Sequence, residues 1–407
     1  MSPVRILRLA AGGDGVGKLD DGRAVFVPRT APGDLVELTG LRSHKRFARA
    51  RVGRLLEPSP DRVEPRCPHY VRDQCGGCQL QHLASPAQRE ARRGFVGDAL
   101  RRIARRDVPD PPIVPAAKEF DYRTKITLAV SAGGRRIGLH PYDRADDVFE
   151  LEWCHITVPA LMQLWQVLRG LRERFPPRLE AIVLREDREG GRHVLFRTAA
   201  GEVWAGARAL HGELVRRDAP ATLWWQPAEG VPRAVAGAGE AYPATVFEQV
   251  HPEMGDRVRV HALEALGPVE GRRVWDLYAG IGETTAALVR AGARVESVEA
   301  DRRAVAEAER RGPAARRHAG RVEHVLGDLG AAELVITNPP RTGMDARVAE
   351  ALERQRPARL VYISCDPATL ARDLSRLPGY RLAGAVAFDL FPQTAHVETV
   401  VVLERAS

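Results

Sequence analysis

Lysine is scarce in this chain of 407 residues: among 61 basic residues only Lys18, Lys45, Lys118 and Lys125 are lysines, all in the first third. Arginine supplies the rest of a net charge of +8. That excess permits an anionic partner such as nucleic acid, but a chain-wide arginine bias also follows from genome composition, so clustering is the better guide. No run of eighteen apolar residues occurs, so no helical membrane span is expected. The opening MSPVRILRLAAGGDG has neither the apolar core nor the cleavage site of a secretory signal, and a cytoplasmic protein is expected. Cysteine is scarce too, with five residues. In a reducing compartment a disulfide framework is not expected, and the grouping of Cys67, Cys75 and Cys78 favours metal or redox chemistry. Cys154 and Cys365 remain, so the arithmetic to test is four ligands and one left over.

What is present is organised in blocks. With 44% hydrophobic residues the chain can build two or three cores. Residues 1–60 alternate short apolar runs (VRILRLA, AVFVPR, DLVELTGL, FARARVGRLLE) with Gly-rich turns, which predicts a small all-β barrel of the OB kind, a common single-strand nucleic-acid module. Arg42, Lys45, Arg46, Arg49 and Arg51, with Phe47 among them, form a basic cluster there; an ordinary solvated strand face explains it equally well. In CPHYVRDQCGGCQLQHL the Gly76-Gly77 pair lets the backbone turn tightly between Cys75 and Cys78. No second C-x-x-C follows to make a zinc ribbon, so an iron–sulfur site with a remote fourth cysteine fits best; Cys154 and Cys365 are the candidates. His69 and His82 read as packing or RNA-facing residues. The spacing predicts an amphipathic helix over 86–107, apolar at Phe95, Val96, Leu100 and Ile103 and dense in arginine on its other face, where phosphate contact is plausible. Residues 113–245 alternate strands with a helix over 160–174 and read as α+β, with no catalytic constellation. ATVFEQVHPEM, Ala244 to Met254, leads into a helix over 256–266.

From 272 onward strands and helices alternate, as in a doubly wound sheet. In VWDLYAGIGETTAALVRAGARVESVEAD a strand feeds a Gly-x-Gly turn (Gly280, Gly282), a helix, and a second strand ending at Glu299, an acidic residue 17 positions beyond Gly282 and placed for a ribose. Thr285 stands where a dinucleotide site has its third glycine, and Asp276 precedes the loop; this variant favours S-adenosylmethionine, which has no pyrophosphate. Asp328 in HVLGDLG and Asn338 in NPPRTG are expected at the next strand ends. Arg341 after Asn-Pro-Pro, where an aromatic would be needed, argues against methylation of exocyclic amino groups. VYISCDPATLARD puts Cys365 on the turn between a strand and a helix, where helix-start amides and neighbouring arginines are expected to favour the thiolate; a buried structural cysteine is the plain alternative. FDLFPQTAHVETVVVLER reads as a closing hairpin whose second strand begins near Glu398.

VFVPRTAPGDLVEL, CGGCQLQH, DLYAGIGETT, NPPRTG, SCDPATLARD and HVET, in this order over essentially the whole chain, resemble the motifs of RNA uracil-5-methyltransferases, particularly the 23S ribosomal RNA type with a TRAM domain and an iron–sulfur cluster. The resemblance implies a multidomain fold: an OB-like TRAM barrel (1–60) that binds RNA, an α+β central domain with the iron–sulfur loop (61–85 and 113–245), a basic helix packing on the catalytic domain (86–112), and a Rossmann-like α/β methyltransferase domain (246–407). It implies that Cys67, Cys75, Cys78 and Cys154 hold a 4Fe-4S cluster. It also implies that Gln249, Tyr278, Gly280, Gly282, Glu283, Glu299, Asp328 and Asn338 bind S-adenosylmethionine, and that Cys365 is the nucleophile and Glu398 the base. The expected partner is RNA, with a ribosomal uridine favoured, in a monomer without a membrane; a transfer-RNA uridine, or an RNA-binding assembly protein with an impaired site, are the alternatives. The chain departs from the family at the first cysteine gap, seven residues instead of five, and at Asn338, Glu283 and His251, where the family has Asp, Asn and Asn.

Overall fold

A computed structural model describes residues 2–199, 204–238 and 249–406. Among these residues the strands gather into three sheets. The first is a closed barrel in which β1 (Val4–Leu9), β2 (Gly15–Lys18), β3 (Ala24–Val27), β4 (Leu35–Ser43) and β5 (Phe47–Glu57) follow the order β1-β2-β3-β5-β4. Closure removes the unpaired edges that so short a sheet would otherwise expose. Val4, Ile6, Val25, Val27, Val36, Ala48 and Ala50 fill it.

After the barrel come a short helix α1 (Pro68–Val71) inside the cysteine segment and the longer α2 (Ser85–Arg102). Both start with proline in the first turn, where its missing N–H costs nothing. The little strand β6 (Ile113–Val114) then pairs with the far end of the third sheet.

The second sheet has the order β13-β12-β11-β10-β7-β8-β9, built from β7 (Lys125–Val130), β8 (Ile137–Leu139), β9 (Phe149–Glu150), β10 (Leu179–Glu186), β11 (Arg192–Thr198), β12 (Thr222–Pro227) and β13 (Arg233–Ala236). Alternate residues such as Leu128, Ile182, Leu184, Val194, Phe196 and Trp225 face α3 (Pro159–Arg169) and α4 (Ala207–Arg216), whose Leu164, Trp165, Leu168, Leu210 and Leu214 complete that core.

The third sheet carries the site. Its order is β16-β15-β14-β17-β18-β20-β19-β6, with β14 (Arg273–Leu277), β15 (Arg294–Glu299), β16 (Arg316–Ala319), β17 (Leu334–Thr337) and β18 (Arg359–Ser364) parallel, and β20 (Glu398–Arg405) inserted antiparallel between β18 and β19 (Tyr380–Phe388). Helices α5 (Pro252–Leu266), α6 (Glu283–Arg290), α7 (Arg302–Arg311), α8 (Val322–Val325), α9 (Ala346–Gln355) and α10 (Pro367–Ser375) complete this part of the chain. The two-residue period sorts the strands cleanly: Trp275, Leu277, Leu360 and Tyr362 join a core with α2, α9 and α10, while Val274, Val361 and Ile363 join one with α5. Because β14 begins a doubly wound order, its carboxyl end borders the crevice where such sheets bind ligands. No helix among the described residues is long and apolar enough to cross a membrane.

Two sequence expectations fail here. Asp328 does not end a strand: β16 stops at Ala319, Val322 and Val325 turn inward at helical spacing, and Asp328 closes a 3-10 turn, exposed to solvent. The arginines of α2 are engaged within the protein to different degrees. Arg92 is buried and ion-paired with Asp389, while Arg89, Arg93, Arg101 and Arg102 each have a carboxylate partner. Ile103, read as part of the apolar face, is exposed at the helix end.

Candidate active site

The loop after β14 is a run of left-handed backbone: φ is +62° at Tyr278, +58° at Gly280 and +78° at Gly282. Glycine is required at Gly282, where a Cβ would lie 2.9 Å from the Cβ of Ala308 in α7. Glu299, at the end of β15, is braced against this loop: its carboxylate accepts from Gly280 N at 2.9 Å and from Asp301 N at 2.8 Å. Asp276 is buried, and burial pushes its pKa up to about 7 despite a 2.6 Å hydrogen bond from Thr285 Oγ1. Thr285 thus ties α6 to β14.

Three departures from the family pattern now have surroundings. Glu283 opens α6 and pairs with Arg259 at 2.5 Å and with Arg188 at 3.2 Å; Arg188 reaches over from the β10–β11 turn and also grips Asp256 at 3.0 and 3.1 Å. His251 is buried and stacks on Tyr122 with ring centroids 4.8 Å apart. Asn338 follows β17 and donates its backbone N–H to Leu277 O at 3.2 Å, which puts it beside the β14 loop. Gln249 packs on the first turn of α5 against Gly255; the segment 244–248 before it lies outside the described residues. Burial, helped by the charge of Glu323 in α8, raises the Tyr278 phenol; Glu323 itself pairs with Arg321 at 2.7 Å.

The other half of the site comes from β18 and β20. Ser364 pairs with Thr399, so the next step along the antiparallel ladder brings Cys365 beside Glu398. Asp366 caps α10, accepting from Thr369 N at 2.8 Å. Glu398 is 1% exposed, and its Oε2 has no hydrogen-bond partner among the described residues. Burial pushes its pKa up to about 8, with Arg341 opposing. The Cys365 thiol is also raised, by burial first and then by the charge of Glu398, while the Arg341 charge and hydrogen bond pull the other way. This corrects the expected depression: Asp366 already takes a helix-start amide, and burial with a carboxylate neighbour outweighs one arginine. Arg341 was read from the sequence only as excluding another reaction class; in the structure it touches both Cys365 and the field of Glu398. His396 stands near Arg341 and Arg123, which together with burial lower its pKa.

Cys67, Cys75, Cys78 and Cys154 line one small cavity of about 20 Å³, with Tyr70, Leu139, Leu151, Trp153 and Ile156 around them. Cys75 is pushed up to about 12 and Cys78 is also raised well above an ordinary thiol, by burial first and then by the other cysteines. Among the described residues no three His, Cys, Asp or Glu side chains are drawn together as a site for a single metal ion. His69 is buried against Asp73 and Phe149, and His82 against Tyr70, so both are packing residues. On the barrel, Arg49 pairs with Asp14 and Arg51 with Asp143, whereas Arg42, Lys45 and Arg46 are exposed and form no ion pair among the described residues. Phe47 lies in the same turn, stacked on His44 at 4.5 Å.

Comparison with known proteins adds to this geometry. A family model described as tRNA (Uracil-5-)-methyltransferase matches residues 313–406, and a TRAM domain model matches residues 2–52. The chain is 32% identical to the 23S rRNA (uracil(1939)-C(5))-methyltransferase RlmD of Thiobacillus denitrificans, with 100% of both chains covered. It is 35% identical to the protein of the same name from Aromatoleum aromaticum, over 95% of each. Among solved structures, the tRNA (uracil-54, C5)-methyltransferase of Pyrococcus abyssi in complex with S-adenosyl-L-homocysteine has the same fold, with a TM-score of 0.74 at 24% identity, covering 98% of this chain and 99% of that one.

Proposed function

The chain belongs to the S-adenosylmethionine-dependent RNA (uracil-5-)-methyltransferases, and from that premise we propose that it methylates carbon 5 of a uridine in 23S ribosomal RNA through a covalent adduct with Cys365. The carrying observation is the β18–β20 register, which sets a thiol beside a buried carboxylate with Arg341 between their fields. Carbon 5 of uracil is a weak nucleophile. The Cys365 thiol releases its proton to solvent, its sulfur bonds to carbon 6, and the electrons of the 5,6 double bond shift toward carbon 5 and the 4-carbonyl as an enolate, while Glu398 stays free for the later proton. S-adenosylmethionine, when bound, supplies the electrophilic methyl group. Glu398 then takes the proton from carbon 5; those electrons restore the double bond and expel Cys365 as thiolate. Arg341 stabilises the negative charge that develops at both side chains. A stacked base cannot enter this crevice, so the substrate is a single-stranded or flipped uridine.

Tyr278, Gly280, Gly282, Glu299, Asp328, Asn338, Gln249 and Glu283 would form the methyl-donor side. The TRAM barrel, with Arg42, Lys45, Arg46 and Phe47, would hold flanking RNA by charge and stacking. The four cysteines, which line one cavity, would hold a 4Fe-4S cluster. Its role would be to join the cysteine loop to Cys154, since this chemistry transfers no electrons. The reading is completed by a monomeric cytoplasmic enzyme. Mapping 5-methyluridine across the RNA of a strain lacking the gene tests it: loss of one or more signals in 23S RNA is expected, and loss confined to transfer RNA would move the target there.

A further inference from the structure

Glu398 is preceded by a strap, residues 389–397, that is gripped by side chains and backbone amides from α2, Tyr122 and the segment after Cys78. Arg92 of α2 forms a buried ion pair with Asp389 at 2.9 Å and donates to Thr394 O at 2.8 Å. Tyr122 OH donates to Pro392 O at 3.0 Å. Gln88 and Gln393 exchange a reciprocal amide pair: Gln88 Nε2 donates to Gln393 Oε1 at 2.9 Å, and Gln393 N donates to Gln88 Oε1 at 3.1 Å. The residues directly after Cys78 then close the grip. Gln79 N and Leu80 N donate to Gln393 O at 3.2 and 3.0 Å, and Ala395 N donates to Gln79 Oε1 at 3.2 Å.

Gln393 sits at φ +70°, a left-handed conformation that a side chain with a Cβ rarely adopts. It persists because the surrounding bonds over-determine it: the side-chain amide, the N–H and the carbonyl of this residue are all committed. Five residues later the chain delivers Glu398 at the start of β20, opposite Phe388 of β19, and its Oε2 has no hydrogen-bond partner among the described residues. The place of that oxygen is therefore set by the backbone that carries it: the ladder of β20 and the strap that leads into it.

We propose that Gln393 is a positioning residue for proton removal from carbon 5, and that the loop bearing Cys75 and Cys78 holds it through Gln79 and Leu80. This rests on the uracil-5-methyltransferase reading. Cys365 enters the crevice from β18, whose position the strap does not set, so adduct formation is separable from base action. A change in the shape of the cysteine loop reaches the second step and spares the first.

The experiment compares Gln393→Gly, which keeps the left-handed backbone but loses the amide, and Gln79→Leu with Gln79→Glu, which retains an acceptor for Ala395 N. Each full-length variant is assayed on uridine RNA and on 5-fluorouridine RNA, whose fluorine blocks proton removal and traps the adduct. Misplacing a reacting group by about 1 Å costs up to about a hundredfold, so Gln393→Gly and Gln79→Leu should lower kcat on uridine RNA by about 10- to 100-fold. KM for RNA should stay within about twofold, and trapping rates within about threefold of wild type, as expected when only a step after binding is impaired. Carbon-5 deuterium should then slow turnover, and Gln79→Glu should recover it. Trapping and turnover falling together, or neither changing, would overturn the proposal. Absence of any trapped adduct with wild-type protein would instead overturn the underlying enzymatic reading.

Discussion

The five cysteines occupy two environments that differ less in burial than in the charges around them. Cys67, Cys75, Cys78 and Cys154 share an apolar cavity, and each of the first three is raised by burial and by the others' negative charge. Cys365 is raised by burial and by Glu398, yet Arg341 hydrogen-bonds to it and lowers it. Cys67, Cys75 and Cys78 are each made harder to ionise by burial and by the cysteines around them, and in the proposed reading a shared cluster would be the partner that binds the four cysteines as thiolates. One thiol with an arginine and a carboxylate beside it can ionise alone, transiently, when a substrate draws its electrons. Burial says little about function here; the neighbouring charge separates ligand from nucleophile.

The strongest way to break this comparison is to remove one cysteine from each group. Cys365→Ala should lower methyl transfer from labelled S-adenosylmethionine to RNA by more than about a thousandfold while leaving the thermal midpoint and iron content near wild type. Cys154→Ala should do the reverse in kind: lost iron and brown colour, a lower thermal midpoint, and a smaller fall in activity. Equal loss of activity and of iron in both variants would erase the distinction, and a colourless, zinc-containing wild type would refute the iron–sulfur assignment.

A smaller effect sharpens the Cys365 side. Glu398 has its folded pKa raised to about 8 from an ordinary carboxylate value, so the folded state holds the extra proton. Its contribution to stability is present below the ordinary carboxylate range and is lost as pH rises toward 8. Glu398→Gln should therefore be more stable than wild type near pH 9, by on the order of 2–4 kcal/mol, and match it near pH 4. In wild type the same ionisation should make kcat climb from pH 6.5 to above 8, where the base form becomes populated. A flat profile over that range would mean that the carboxylate is already ionised or is not the base.

Much of the site could be read along the chain because its signals are local. A strand, a Gly-x-Gly turn and Glu299 lie within one βαβ unit, and Ser364-Cys365-Asp366 is a strand end followed by a helix cap. Thr285 looked like a missing glycine and proved to hold Asp276 at 2.6 Å. What stayed hidden depends on distant partners. Arg92 reads as one more exposed arginine on a basic helix until Asp389 folds against it, and Gln393 meets Gln88 across 305 residues of sequence. Asp328 misled because a short amphipathic turn, Val322 to Leu326, looks like a strand when only its apolar residues are weighed. The lowered pKa expected for Cys365 failed because helix-start amides can be seen in sequence, whereas the burial of Glu398 on another strand cannot.

The central claim is that Cys365 attacks and Glu398 releases. It is tested most directly by incubating Glu398→Gln with S-adenosylmethionine and uridine-containing RNA, then measuring the protein–RNA adduct under denaturing conditions over time. A long-lived adduct carrying the transferred methyl group, absent from Cys365→Ala and from the double variant, is the predicted result, with turnover down by about 10²–10⁴-fold. Release of methylated RNA from Glu398→Gln at the wild-type rate, with no adduct, would contradict the account.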